Sequence, residues 1–172
     1  MEALLASALV SLVALGAFAA YGTSQTTLRQ SFELSRLQGD TGFALRHLTR
    51  NLRQASGMAF DDTFPADDPV AAELQVTIPT DPDDPSATTT MRYWRDRQTV
   101  SDPDDDVLRW AEDAAAPDTN QILADHVTAF AVADAGGSAV TVTLTTAFGR
   151  PPLRQSYTLT STVTLRGRQE SP

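Results

Sequence analysis

Residues 1–21, MEALLASALVSLVALGAFAAY, are apolar apart from serines and a single acidic residue, Glu2. Wound as a helix at ~1.5 Å per residue, such a run is roughly 30 Å long, the thickness of a bilayer's hydrocarbon core. The pattern then changes. Leu34, Leu37, Thr41, Leu45, Leu48, Leu52 and Ala55 recur at spacings of three and four, which is one buried stripe of an amphipathic helix. Arg29, Arg36, Arg46, Arg50 and Arg53 fall mostly off that stripe. Between the two patterns, Gly22 to Thr27 forms helix weakly but holds no stop, and the first proline of the chain is Pro65. The pattern predicts one helix from Met1 to about Ser56, with Gly57 as its C-cap. Gly16 and Gly22 have the poorest helix propensity in the first half, which makes them candidate points of flexibility.

Beyond Gly57 the period falls to two. Leu74–Ile78, Thr88–Asp96, Val107–Trp110, Val127–Val132, Ala139–Phe148 and Leu153–Leu165 read as strands. Loops rich in Asp and Pro separate them at 61–69, 79–85, 101–106 and 117–120. In Thr88–Asp96, Tyr93 and Trp94 point opposite ways, so both faces of that strand are partly covered. Gly149-Arg150-Pro151-Pro152 joins the last two strands as an antiparallel pair. A long helix followed by antiparallel strands is an α+β layout. Three segments follow from it: 1–21 apolar, 22–58 the amphipathic continuation, and 59–172 a β head with acidic loops.

The charge is unevenly placed. Of a net −9, residues 22–58 carry five Arg against two acids, residues 59–148 four Arg against eighteen acids, and residues 149–172 four Arg against one acid. An acidic head repels phosphate backbones, so no nucleic-acid partner is expected there. The chain has no Cys and no Lys, which excludes disulfides, thiolate metal sites and Schiff-base chemistry. Its two histidines, His47 and His126, form no recognisable catalytic pattern with a serine or carboxylate, and no enzymatic activity or cofactor is expected.

Two acidic features carry candidate chemistry. Asp102, Asp104 and Asp106 are spaced like the start of a calcium loop. Val107 stands where such a loop needs glycine, and Asp113 where it prefers a bidentate Glu, so a solvated turn is the better reading. Glu2 is the other. A carboxylate in an apolar helix costs about 2.5–3.5 kcal/mol at full membrane depth, so it calls for a partner. Trp94 and Trp110 offer either an exposed aromatic surface or, more simply, cross-strand packing. The apolar run itself admits a plain membrane anchor, or a signal peptide ending at Ala17-Phe18-Ala19, though no basic stretch precedes it.

A third reading rests on resemblance. Leu37-Gln38-Gly39-Asp40-Thr41-Gly42-Phe43-Ala44-Leu45 and the Arg-rich turn to Gln54-Ala55 resemble the helix of W-type minor pilins and J-type minor pseudopilins, in the type IV pilin superfamily. Met91–Arg95 and Val107–Trp110 resemble their paired strands, Ile122–Phe130 a connection, and Thr158–Arg166 their closing strand. The resemblance implies an inner-membrane subunit with its head outside the cytoplasm, assembled with other pilin or pseudopilin subunits into a periplasmic or cell-surface filament. It implies that Glu2 and the Met1 end take part in subunit assembly. In the superfamily a basic leader ending in glycine is removed, the new N-terminus is methylated, and the glutamate is fifth. Here Glu2 follows Met1 directly. Either a leader and three further residues lie upstream, or the chain is an unusual variant. The runner-up is a membrane-tethered binding or adhesion domain with no filament role.

Overall fold

A computed structural model describes residues 2–81, 84, 86–99, 102, 104–113, 120–136, 138–149 and 154–165. One helix, α1 (Glu2–Gln54), precedes eight strands: β1 (Gly57–Asp61), β2 (Val70–Pro79), β3 (Thr88–Asp96), β4 (Val107–Ala111), β5 (Gln121–Ala124), β6 (Val127–Gly136), β7 (Ala139–Phe148) and β8 (Gln155–Thr164). The fold is α+β, a long N-terminal helix packed on antiparallel sheets. The chain divides into two compact units, residues 1–36 and 37–172.

In the second unit β1 to β5 form a five-stranded antiparallel meander, and β6, β7 and β8 a separate three-stranded sheet. The chain passes from one sheet to the other at His126, whose φ of 57° is the left-handed corner. The bonds Val127 N–H to Asp106 O (2.8 Å) and Ala147 N–H to His126 O (2.9 Å) tie the sheets together there. The stripe foreseen on α1 is the face that covers them. Leu37, Thr41, Leu45, Leu48, Leu52 and Ala55 are buried, and Leu34 is half-buried. Leu45, Leu48 and Leu52 join one core with Leu74 and Val76 of β2, Tyr93 of β3, Leu108 of β4, Phe130 of β6, and Val140, Val142 and Leu144 of β7. Within that core Thr41 gives its hydroxyl proton to Leu37 O at 2.6 Å, which leaves Thr146 of β7 to donate across the 3.0 Å gap between their hydroxyls.

Two local expectations fail. Gly57 is not a left-handed cap, because its φ is not positive. The helix ends when Ser56 N–H bonds Thr77 O at 2.9 Å, which draws the chain sideways into β1 against β2. β1 itself, and β5, were not evident as strands. Positions 150–152, the expected turn before β8, lie outside the described residues.

Candidate functional site

The first unit is where the chain departs most from a water-soluble protein. Leu9, Val10, Leu12, Val13, Leu15 and Phe18 are between 64% and 76% exposed. At ~100° per residue these positions point to every side of the helix, so no single groove would cover them. Burying a large apolar side chain is worth about 1.5–3 kcal/mol, so six of them left in water forfeit on the order of 10 kcal/mol, comparable with a whole domain's stability. Among the described residues α1 is the one helix long and apolar enough to cross a membrane. A single N-terminal apolar helix of this kind suits a single-pass anchor.

Several polar side chains of this stretch are bonded on the helix itself. Ser11 donates to Ser7 O at 2.8 Å, Thr23 to Ala19 O, Thr26 to Gly22 O and Thr27 to Thr23 O, each at 3.0 Å, and Gln25 Nε2 donates to the Tyr21 hydroxyl at 2.8 Å. Hydroxyls bonded back to the fourth preceding carbonyl need no water, as a medium without water demands. Gly16 and Gly22 lie in unbroken helix, and a Cβ added at either would meet nothing within 4 Å. No packing inside the chain therefore requires a glycine at these two points. Met1 and the side chain of Glu2 lie outside the described residues.

Among the described residues, the arginines of the head are spent on internal partners. Arg92 Nη2 contacts Glu73 at 2.7 Å, Arg109 Nε contacts Asp96 at 2.5 Å and its Nη1 contacts Asn120 Oδ1 at 2.9 Å. Arg97 Nη1 donates to the carbonyls of Pro65 and Asp68, both at 2.7 Å, and so holds the acidic loop between β1 and β2. Among the described residues, more than half of the head's carboxylates are exposed.

The three aspartates of the calcium-like spacing do not converge. Asp106 is 1% exposed and turned toward Arg95, whose Nη2 lies 2.6 Å from Oδ2. That contact is misaligned for hydrogen bonding, so charge holds the pair and both carboxylate oxygens lack an aligned donor. Burial pushes the Asp106 carboxyl above its ordinary range, with Arg95 opposing. Asp104 is paired with Arg154, and Asp102 Oδ1 accepts the Asp104 N–H at 3.0 Å. Among the described residues no three His, Asp or Glu side chains stand together as metal ligands.

Both histidines serve tertiary contacts. His126 Nδ1 donates to Asp104 O at 2.6 Å and the ring meets Phe148 edge-on. His47 projects from α1 onto β3 and β4, its ring centroid 4.6 Å from that of Trp110. Asn51 Nδ2 donates to the Tyr93 hydroxyl at 2.5 Å, which frees the hydroxyl proton for His47 Nδ1, 3.2 Å away, in the neutral ring. Burial and then Arg50 lower the His47 pKa from 6.5. Burial pushes the Tyr93 phenol up to about 12. The tryptophans occupy opposite faces of one sheet. Trp110 is half-buried opposite Tyr93, while Trp94 is buried opposite Arg109 and beneath the Arg92 guanidinium, 4.8 Å from its ring. Cross-strand packing, not a shared aromatic surface, describes both. The Tyr93–Asn51–His47 cluster was invisible in sequence, since it joins residues 42 and 46 positions apart.

No family model matches this chain, and no curated protein or solved structure is significantly similar to it.

Proposed function

We propose that the chain is a structural subunit of a type IV pilus or type II secretion pseudopilus, a minor pilin or pseudopilin with an assembly or priming role. The observation that supports this is the helix half exposed and apolar on all sides, continuous with a half that packs on a β head. Lipid can satisfy such a surface in the membrane, and a ring of neighbouring helices can satisfy it in a filament, because neither needs water at any side. A one-sided partner cannot. The open space around Gly16 and Gly22 suits this reading, since another helix can approach closely there. In the proposed state the chain is an inner-membrane protein with its head outside the cytoplasm, and it leaves the bilayer for a periplasmic or cell-surface filament.

Glu2 has a defined role in this reading. In a filament core its carboxylate accepts a charge-assisted hydrogen bond from the N-terminal amine of a neighbouring subunit. The bond offsets desolvation only when both groups meet, which selects one axial register. Glu2→Leu therefore leaves membrane insertion intact and lowers the fraction of subunit recovered in sheared filaments, while Glu2→Gln falls between. The competing reading, a binding or adhesion domain on a simple tether, gives Glu2 no role. It gains if Glu2→Leu assembles as well as the parent.

A further inference from the structure

Among the described residues, the three-stranded sheet ends in an edge without the usual defences against pairing. β8 is ten residues long, and its pairing with β7 runs without a register shift from Phe148–Gln155 to Ala139–Thr164. Among the described residues it has no strand on its other side. Residues 155–165 contain no charge, no proline and no glycine, in a chain that is 20% charged. Free edges normally carry one of these, or a bulge or short length, to prevent pairing with another chain. The other three edges do. β1 has five residues and ends on Asp61, β5 has four, and β6 carries Asp134 and two register shifts.

The outer face of β8 is also patterned. Thr158, Thr160 and Thr162 face Thr145, Thr143 and Thr141 of β7, with hydroxyl oxygens 3.0, 3.3 and 3.0 Å apart. Val163 is buried on the inner face and Leu159 is half-buried there. The sequence of this stretch, Thr158-Leu159-Thr160-Ser161-Thr162-Val163-Thr164, is symmetric about Ser161 in residue character, with Thr at matching positions on the outer face and Leu159 matched by Val163 on the inner one. An antiparallel copy laid along it with Ser161 opposite Ser161 sets Thr160 against Thr162, Thr158 against Thr164, and Leu159 against Val163. The threonine pairing seen between β7 and β8 then continues across the new seam, and the apolar face continues beneath it. A strand from an unrelated protein has no reason to match this pattern. A second copy sets Thr against Thr and an apolar residue against an apolar one on both sides of Ser161, in the self-complementary way a two-fold interface requires.

We propose that β8 pairs antiparallel with β8 of a second copy, about a two-fold axis at Ser161, to form one six-stranded sheet. The pairing is additional to any contact of the N-terminal helix and stands whether or not the chain enters a filament.

The absence of cysteine makes the test direct. Directly opposed residues of an antiparallel pair have Cα atoms ~4.5–5.5 Å apart, inside the range that a disulfide spans. Full-length single-cysteine variants in detergent micelles are oxidised with copper phenanthroline, and the dimer fraction is read on non-reducing gels. Ser161→Cys gives a dimer fraction several-fold above that of Thr141→Cys, which lies on the central strand. A mixture of Thr160→Cys and Thr162→Cys gives a heterodimer more readily than either variant gives a homodimer. Thr160→Lys combined with Ser161→Cys lowers the dimer fraction while leaving the melting temperature of the head unchanged. Equal crosslinking of Ser161→Cys and Thr141→Cys overturns the proposal, as does efficient self-crosslinking of Thr160→Cys, which means a different register. A strictly monomeric Ser161→Cys chain overturns the choice of a second copy as occupant.

Discussion

Replacing Tyr93 by Phe tests how α1 is fastened to the sheet. The side chain is fully buried, and its hydroxyl receives the Asn51 amide at 2.5 Å and faces His47 Nδ1 at 3.2 Å. Phe keeps the ring, and with it the contact to Trp110 at 6.4 Å, so no cavity term arises. What changes is polar. Asn51 is 8% exposed and keeps a buried N–H with no acceptor, a loss of about 1–3 kcal/mol. For a chain of this size each kcal/mol corresponds to about 2–4 °C in Tm. Urea titration of the full chain in micelles, followed by tryptophan fluorescence, should therefore show a lower midpoint at unchanged slope. Removing both partners, in Tyr93→Phe with Asn51→Leu, should recover part of the loss, because neither group is then left unpaired. A single variant within about 0.5 kcal/mol of the parent, or a double variant whose loss equals the sum of the two, refutes the hydrogen-bond account.

Two further predictions concern other parts of the helix. The His47 pKa is lowered on folding, so the folded state holds this ring neutral; its contribution is complete above about 6.5, the unfolded value, and is lost as pH falls below it. Titrating stability from pH 8 to 5 should give a steeper fall for the parent than for His47→Leu, and parallel curves would exclude the mechanism. Gly22→Ala fits without a clash and adds about 1 kcal/mol of helix propensity. It should raise amide protection over residues 16–27 in the membrane-bound chain and slow entry into filaments. Equal protection of these residues in the parent's membrane and assembled states would show that they form no joint.

What was legible in the chain follows the range of the interactions. The helix and its buried stripe depend on spacings of three and four, β7 on the alternation from Val140 to Thr145, and β3 on a run of Thr and aromatic residues bounded by loops, so local pattern was enough. β1 was missed because Asp61 and the prolines after it mark a loop, while the pairing that makes Gly57–Asp61 a strand lies on β2, with Gly57 opposite Thr77. β5 has four residues, too few to show a period. The division into two sheets turns on one left-handed residue, His126, which no glycine signals. Asp106 looked like its neighbours in an acidic turn, yet a carboxylate partner 11 positions away, Arg95, draws it inside. For β1 and Asp106 the deciding contact is non-local. The apolar helix is the opposite case, since its length and composition alone mark it as a candidate membrane span.

We propose that residues 9–18 meet lipid in one state and other subunits in another. This is tested most directly by placing a photoreactive residue at Leu9, Val10, Leu12, Val13, Leu15 or Phe18, one position at a time, in the full chain in its native host. Membrane and sheared-filament fractions are irradiated separately and the adducts identified by mass. Lipid adducts are expected at all six positions in the membrane fraction, and adducts to other subunits' N-terminal helices, on every side of the helix, in the filament fraction. Lipid adducts alone at every position, with no subunit adduct in any fraction, would contradict the proposal and leave a plain tether.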